Sequence, residues 1–207
     1  MPLVIYKLGG SLLTLNDLDR RLALLFKRQL PLPERSADRP LDRAVLVGGG
    51  CVADVVRTWD RTYHLGSERS HDLALAAMAF NAQFVNAVLP NSVLVAKRSS
   101  LRKACARGAI AVLDPRAILD EAEKRSAHPL PRSWDVTSDS IAAFLSLAWR
   151  AAALVLVKSS PRPAGKGAGS AARRGLVDKY FPELSARIPV VAWANLRAKP
   201  IAIERWL

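Results

Sequence analysis

The chain has no uninterrupted apolar run of the roughly 18 to 20 residues that a membrane-spanning helix requires. Even the Ala-rich stretch from Ile141 to Val157 is broken by Ser146 and Arg150. The opening Met-Pro-Leu-Val-Ile-Tyr-Lys runs straight into Gly-Gly-Ser, too short an apolar segment for a secretory signal. The expectation is a cytoplasmic protein without a membrane partner. Cysteine is equally sparse: Cys51 and Cys105 do not have metal-ligand spacing, and His64, His71 and His128 are scattered. No protein-bound metal site is expected, and both cysteines read as small packing residues.

Acidic residues are few, 18 against 31 lysines and arginines, which leaves a net charge of +13. Such an excess favours anionic partners. It is spread from Arg20 to Arg205 rather than gathered into a tract with interleaved aromatics, so a nucleic-acid partner is not expected. With 50% hydrophobic residues in 207, the chain can bury one sizeable core, and a single domain spanning 1–207 is predicted.

Leu3 to Leu8 is a short apolar run that ends on Gly9-Gly10-Ser11, and reads as a buried strand followed by a glycine turn. Leu18, Leu22, Leu25 and Phe26 fall at helical spacing, so Asp17 to Leu30 is predicted helical and closed by Pro31 and Pro33; residues 31–42 read as a surface connection. Ala44 to Val47 followed by Gly48-Gly49-Gly50 repeats the strand-then-glycine unit, with a helix beginning at Val52. Further helices are expected over Ser70 to Val85, Pro115 to Lys124 and from Ser138 to about Arg150. Strands are expected over Ser92 to Ala96, Ala109 to Leu113, Leu154 to Val157, Val190 to Trp193 and Ile201 to Glu204. Residues 159–175, rich in Gly, Ala, Ser, Pro and Arg, read as a mobile loop. Strands alternating with helices imply an α/β fold, a three-layer αβα sandwich with a mainly parallel central sheet. In such a fold, ligands bind at the carboxyl ends of the strands.

A strand that ends in Lys7-x-Gly9-Gly10-Ser11 presents backbone amides unobstructed by side chains, beside a full positive charge, which suits a phosphate. A second glycine run, Gly48 to Gly50, would supply another anion-binding wall. Neither run has the Gly-x-x-x-x-Gly-Lys-Ser/Thr or Gly-x-Gly-x-x-Gly form, which excludes the two commonest nucleotide-binding motifs.

Three segments, taken in order, resemble the amino acid kinase superfamily, which includes acetylglutamate kinase, aspartokinase, uridylate kinase and isopentenyl phosphate kinase. They are Tyr6-Lys7-Leu8-Gly9-Gly10-Ser11-Leu12, Val45-Leu46-Val47-Gly48-Gly49-Gly50, and Val136-Thr137-Ser138-Asp139-Ser140-Ile141-Ala142-Ala143 ahead of Leu154 to Val157. Trp134-Asp135-Val136-Thr137-Ser138-Asp139-Ser140-Ile141, the helix His71-Asp72-Leu73-Ala74-Leu75-Ala76-Ala77-Met78 and Gly175-Leu176-Val177-Asp178 before Phe181-Pro182 are most similar to the 5-(aminomethyl)furan-3-yl-methyl phosphate kinases of methanofuran biosynthesis and their bacterial relatives.

The resemblance implies an ATP-dependent kinase that uses Mg2+ carried by the nucleotide, acts on a small phosphate monoester, and assembles as a homo-oligomer. It implies an acceptor-binding lobe over about 1–130 and a nucleotide-binding lobe over about 131–207. Lys7 would neutralise the transferring phosphoryl group, with Gly9, Gly10 and Ser11 as its phosphate-binding turn. Asp139 would orient the catalytic lysines; its competing reading is a helix N-cap. Gly48, Gly49 and Gly50 would bound the acceptor pocket, with Asp54 and His71 as acceptor contacts. Lys179, in Gly175-Leu176-Val177-Asp178-Lys179, has the spacing of the family's second lysine, with Lys158 and Lys166 as competitors. Lys158, Ser159, Ser160 and Asp178 would contact the nucleotide. Where many members continue with Thr-Asp-Val-Asp-Gly, this chain has Lys158-Ser159-Ser160-Pro161, a departure at the expected nucleotide site. A carboxylate acceptor, or a silent nucleotide- or RNA-binding role for the same fold, are the competing readings.

Overall fold

The computed structural model describes residues 1–33, 40–165 and 167–207. Lys166 and part of the expected 31–42 connection lie outside the described residues. One seven-stranded sheet organises the molecule, in the order β3-β4-β2-β1-β5-β6-β7. Its strands are β1 (Leu3–Leu8), β2 (Asp42–Val47), β3 (Ser92–Val95), β4 (Ile110–Leu113), β5 (Ala153–Lys158), β6 (Val191–Asn195) and β7 (Glu204–Arg205). All pairings are parallel except β6 with β7. The helices are α1 (Leu18–Phe26), α2 (Gly50–Tyr63), α3 (Ser67–Val88), α4 (Arg98–Ala106), α5 (Pro115–Glu123), α6 (Ser138–Ala148), α7 (Ala168–Arg173) and α8 (Phe181–Ser185).

Side-chain alternation along β1 and β5 divides the core in two. Val4, Tyr6 and Leu8, with Val155 and Val157, pack under Leu18, Leu22 and Leu25 of α1. Ile5, Leu154 and Leu156 face the opposite layer, where α4, α5 and α6 bring Leu101, Ile118 and Ile141. Lys7 and Lys158 continue that second series, so strand geometry aims both toward the layer that holds α6.

Several expectations are corrected. The predicted first helix ends at Phe26, well before the prolines. The expected mobile loop contains α7, whose Ala171 is buried in the core. Of the predicted last strand only Glu204 continues into β7; Ile201 is buried without joining the sheet. Helix α4, between β3 and β4, was not anticipated.

The start of α6 is held from outside the helix. Thr137 at its N-cap makes no side-chain capping bond. Instead the Asp178 carboxylate accepts from the Thr137 amide and hydroxyl and from the Ser140 amide, each at 2.9 Å, and from the Ser140 hydroxyl. A carboxylate at a helix N-terminus is also favoured by the macrodipole. Asp178→Ala is therefore expected to cost about 1–3 kcal/mol, the penalty for stranded buried donors, read as a lower urea midpoint with an unchanged m-value.

Candidate active site

The carboxyl ends of β1, β2 and β5 meet at one edge of the sheet, in register at Leu8, Val47 and Val157. The chain passes from β1 to β2 through α1 on one face of the sheet and from β4 to β5, on the other side of β1, through α5 and α6 on the opposite face, which makes this a topological switch point and hence a ligand crevice. The two glycine turns touch there. A side chain on Gly10 would overlap the Gly50 amide nitrogen, and Gly50 itself has φ +52, a conformation glycine adopts without strain. Gly9 is tied to β5 by its amide, which donates to Val157 O at 2.8 Å. The Ser11 hydroxyl lies 3.2 Å from that of Ser159.

Beside this paired turn sits a buried charge cluster. Lys7 Nζ lies 3.0 Å from Asp139 Oδ1, and Lys158 Nζ lies 2.8 Å from Oδ2. Lys158 also donates to Leu176 O at 2.8 Å and sits over the Trp193 ring. Asp139 is in the first turn of α6, and because Asp178 does the capping, its own carboxylate is left to the two lysines. Burial alone would raise the Asp139 pKa; the charges of Lys158 and Lys7 reverse this and hold it at about 2. Burial pushes Lys158 down to about 8, against the opposing pull of Asp139 and aided by the repulsion of Lys7. At neutral pH the cluster holds two ammonium groups and one carboxylate, an excess positive charge in a desolvated place.

A cavity of about 180 Å³ opens on the other side of the glycine pair. Gly10, Ser11, Gly48, Gly49, Gly50, Asp54 and His71, all anticipated from sequence, line it. Ala74, Leu75, Met78, Val136 and Ile141 supply apolar walls. His71 is buried, and burial followed by the nearby Arg132 charge lowers its pKa, favouring a neutral ring. Two residues of this wall were not anticipated. Arg57 pairs with Asp54 at 2.8 Å and stacks 4.7 Å from the centre of the Trp134 ring, whose indole nitrogen donates to Asp60 at 2.8 Å. The spacing of Asp54 and Arg57, one helical turn apart, was the available signal.

Other expected site residues lie elsewhere. Lys179 is exposed and pairs with Asp135 at 2.8 Å, outside the cluster. The position beside Asp139 is taken by Lys158, because β5 ends on the same sheet face as Lys7. Asp178 is engaged in capping α6 and in accepting from the Phe181 amide at 2.9 Å. The Ser160 carbonyl accepts from Trp193 at 2.9 Å.

This architecture is the amino acid kinase α/β fold. Solved structures that share it include UMP kinase from Ureaplasma parvum, with a TM-score of 0.62 and 12% identity over 97% of this chain and 92% of that one. UMP kinase from Bacillus anthracis gives 0.57 and 11%, over 95% and 88%. Uridylate kinase from Archaeoglobus fulgidus gives 0.53 and 15%, over 93% and 89%. No protein-family model and no curated protein matches the chain.

The depressed pKa of Lys158 predicts a pH dependence for the binding of an anion beside it. Its ammonium form is lost as pH rises through about 8, so affinity for sulfate, whose own charge is constant there, should be flat below that pH and decline above it. Lys158→Arg, charged throughout, should abolish the decline. Thermal shifts in a sulfate titration from pH 6 to pH 10 measure both.

Proposed function

We propose that the protein is an ATP-dependent phosphotransferase whose acceptor is a small phosphate monoester, converted to a diphosphate. The observation that carries this reading is the buried excess charge of Lys7, Asp139 and Lys158 placed against the Gly10–Gly50 contact. Phosphoryl transfer asks little covalent chemistry of a protein; it asks for positioning and for charge stabilisation of the migrating group. Lys7 and Lys158 provide the charge, Asp139 keeps both ammonium groups at one spot, and the Gly9 and Gly10 amides provide donors.

An acceptor oxygen attacks the terminal phosphorus of ATP in line, and ADP departs with the electrons of the broken bond. A phosphate monoester needs no general base, since it is already anionic at neutral pH. The glycine-bounded cavity, with Asp54, Arg57 and His71 on its walls, takes the acceptor; Ser159 and Ser160, at the end of β5, face the nucleotide side. Residues of about 1–130 then serve chiefly the acceptor and those of about 131–207 the nucleotide, although Trp134, Val136 and Ser138 also line the cavity. Among the described residues no group of three or more His, Cys, Asp or Glu could hold a metal ion. Mg2+ carried by the nucleotide would neutralise part of the charge on its phosphates. No helix among the described residues is long and apolar enough to cross a membrane.

The kinases that share the fold are named for UMP, itself a phosphate monoester, which supports this acceptor class. Within the class, the sequence resemblance nominates an aminomethylfuran phosphate. ADP release is the decisive measurement, with UMP, an aminomethylfuran phosphate, isopentenyl phosphate and acetylglutamate as acceptors. Turnover with a phosphate monoester is expected, and Lys7→Ala should lower kcat by about 10²–10³-fold, the scale for removing one charge-stabilising donor. Turnover with acetylglutamate alone would favour the carboxylate reading. No ADP with any acceptor would refute the kinase reading.

A further inference from the structure

A second concentration of positive charge lies at the amino ends of the strands, the edge of the sheet opposite the glycine turns. A cavity of about 210 Å³ opens there. Leu3 and Asp42, the first residues of β1 and β2, form part of its wall, together with Arg98, Arg102, Trp149 and Arg150. Three guanidinium groups thus stand against one carboxylate, an excess of two positive charges. Among the described residues, none of the three arginines belongs to an ion pair.

Arg98 is fixed in place before any ligand arrives. Its Nη2 donates to Trp149 O at 3.2 Å, its guanidinium carbon stands 5.9 Å from the centre of the Trp149 ring, and its amide donates to Glu121 Oε2 at 2.8 Å. The carbonyl uses one N–H, which leaves the remaining guanidinium donors for another acceptor. Burial, then repulsion from Arg102 and Arg125, lowers the Arg98 pKa against the pull of Glu121, so the neighbouring cations oppose one another.

Arg150 carries a cost of its own. Helix α6 ends in a Schellman motif, in which the Ala151 amide donates to Ser146 O at 2.8 Å and the Arg150 amide to Leu147 O at 3.1 Å. The residue just past the C-cap must then be left-handed, and Arg150 has φ +53. Glycine takes that conformation freely, whereas a residue with a Cβ is strained in it. A side chain retained against backbone energy implies that the side chain is in use. Capping of α6 explains Arg98 alone; it asks nothing of Arg102, and it would be better served by glycine at position 150.

We propose that this cavity is a second anion site, which takes a small ligand through a phosphoryl or pyrophosphoryl group carrying two or more negative charges. Arginine forks match phosphate oxygens in bidentate fashion and stay charged throughout the physiological range. The cavity has the volume of about seven waters, enough for such a group. Its wall has no lysine and no glycine turn, so the site binds without transferring. Helix α6 runs between the two anion sites, with Asp139 in its first turn and Trp149 at its C-cap. A ligand here therefore sits at the far end of the helix that carries the buried carboxylate.

Isothermal titration with inorganic pyrophosphate, without ATP or acceptor, tests the site apart from any kinase activity. Lys7→Gln should leave a binding event intact, and Arg102→Gln/Arg150→Gly should weaken that event by about tenfold or more, the scale for losing charge-assisted hydrogen bonds. Arg150→Gly alone should weaken it too, while the unliganded melting temperature stays at or above that of wild type, an outcome that a merely structural arginine would not give. No binding at millimolar pyrophosphate, its complete loss in Lys7→Gln, or undiminished affinity in the folded arginine variants overturns the proposal. Because the titration uses no turnover, failure of this site and failure of the kinase reading are distinguishable.

Discussion

A single buried carboxylate, Asp139, holds two ammonium groups within ion-pair distance, and the candidate site is arranged around that arrangement. Taking three charges out of water is expensive. Even an ideal pair in an interior often fails to repay its desolvation, and here one cation is in excess. Packing alone would favour replacing all three with apolar residues, as the neighbouring Ile5, Leu154 and Leu156 show is feasible on the same sheet face. The excess charge makes physical sense as a place prepared for an anion, whose arrival supplies the missing negative charge. The depressed pKa of Lys158 expresses the same frustration, since the folded chain would release that proton near pH 8 rather than bury it without more compensation.

Strand alternation and helix capping produce this geometry. Lys7 and Lys158 come from neighbouring parallel strands and share a face because each lies two residues beyond a core position, Ile5 and Leu156. Asp139 reaches both because α6 packs on that face and because Asp178 relieves it of capping its own helix. The glycine contact completes the site from the other direction. Any side chain on Gly10 would drive the first turn away from Gly50, separating the cation cluster from the cavity that lies beyond.

The strands and their glycine turns were readable because a short apolar run ending in glycines permits few alternatives. Lys7, Asp139 and the cavity residues Gly48 to Gly50, Asp54 and His71 were accordingly placed together in advance. Which lysine lies beside Lys7 and Asp139 was harder to read. A five-residue spacing favoured Lys179, whereas the register of β5 against β1, which only the folded sheet supplies, brings Lys158 to Asp139. Arg57 and Trp134 were not placed at the cavity for a related reason: they meet across 77 positions of sequence, and Trp134 was read only as part of a resemblance-carrying segment, not as a cavity residue. Helix α4 went unnoticed because its basic composition conceals a small apolar face of Leu101, Ala104 and Cys105.

Helix α3 borders the cavity on one side and stands in solvent on the other. On its inner side His71, Ala74, Leu75 and Met78 form part of the cavity wall, and farther along Ala82 and Val85 enter the core. Its outer side carries Leu73, Phe80, Phe84 and Val88. A helix at a protein surface ordinarily turns a charged face to water, and one that is apolar on all sides is ordinarily buried on all sides. From Leu73 onward α3 has no charged residue on any side, so its composition is that of an internal helix although one face stands in solvent.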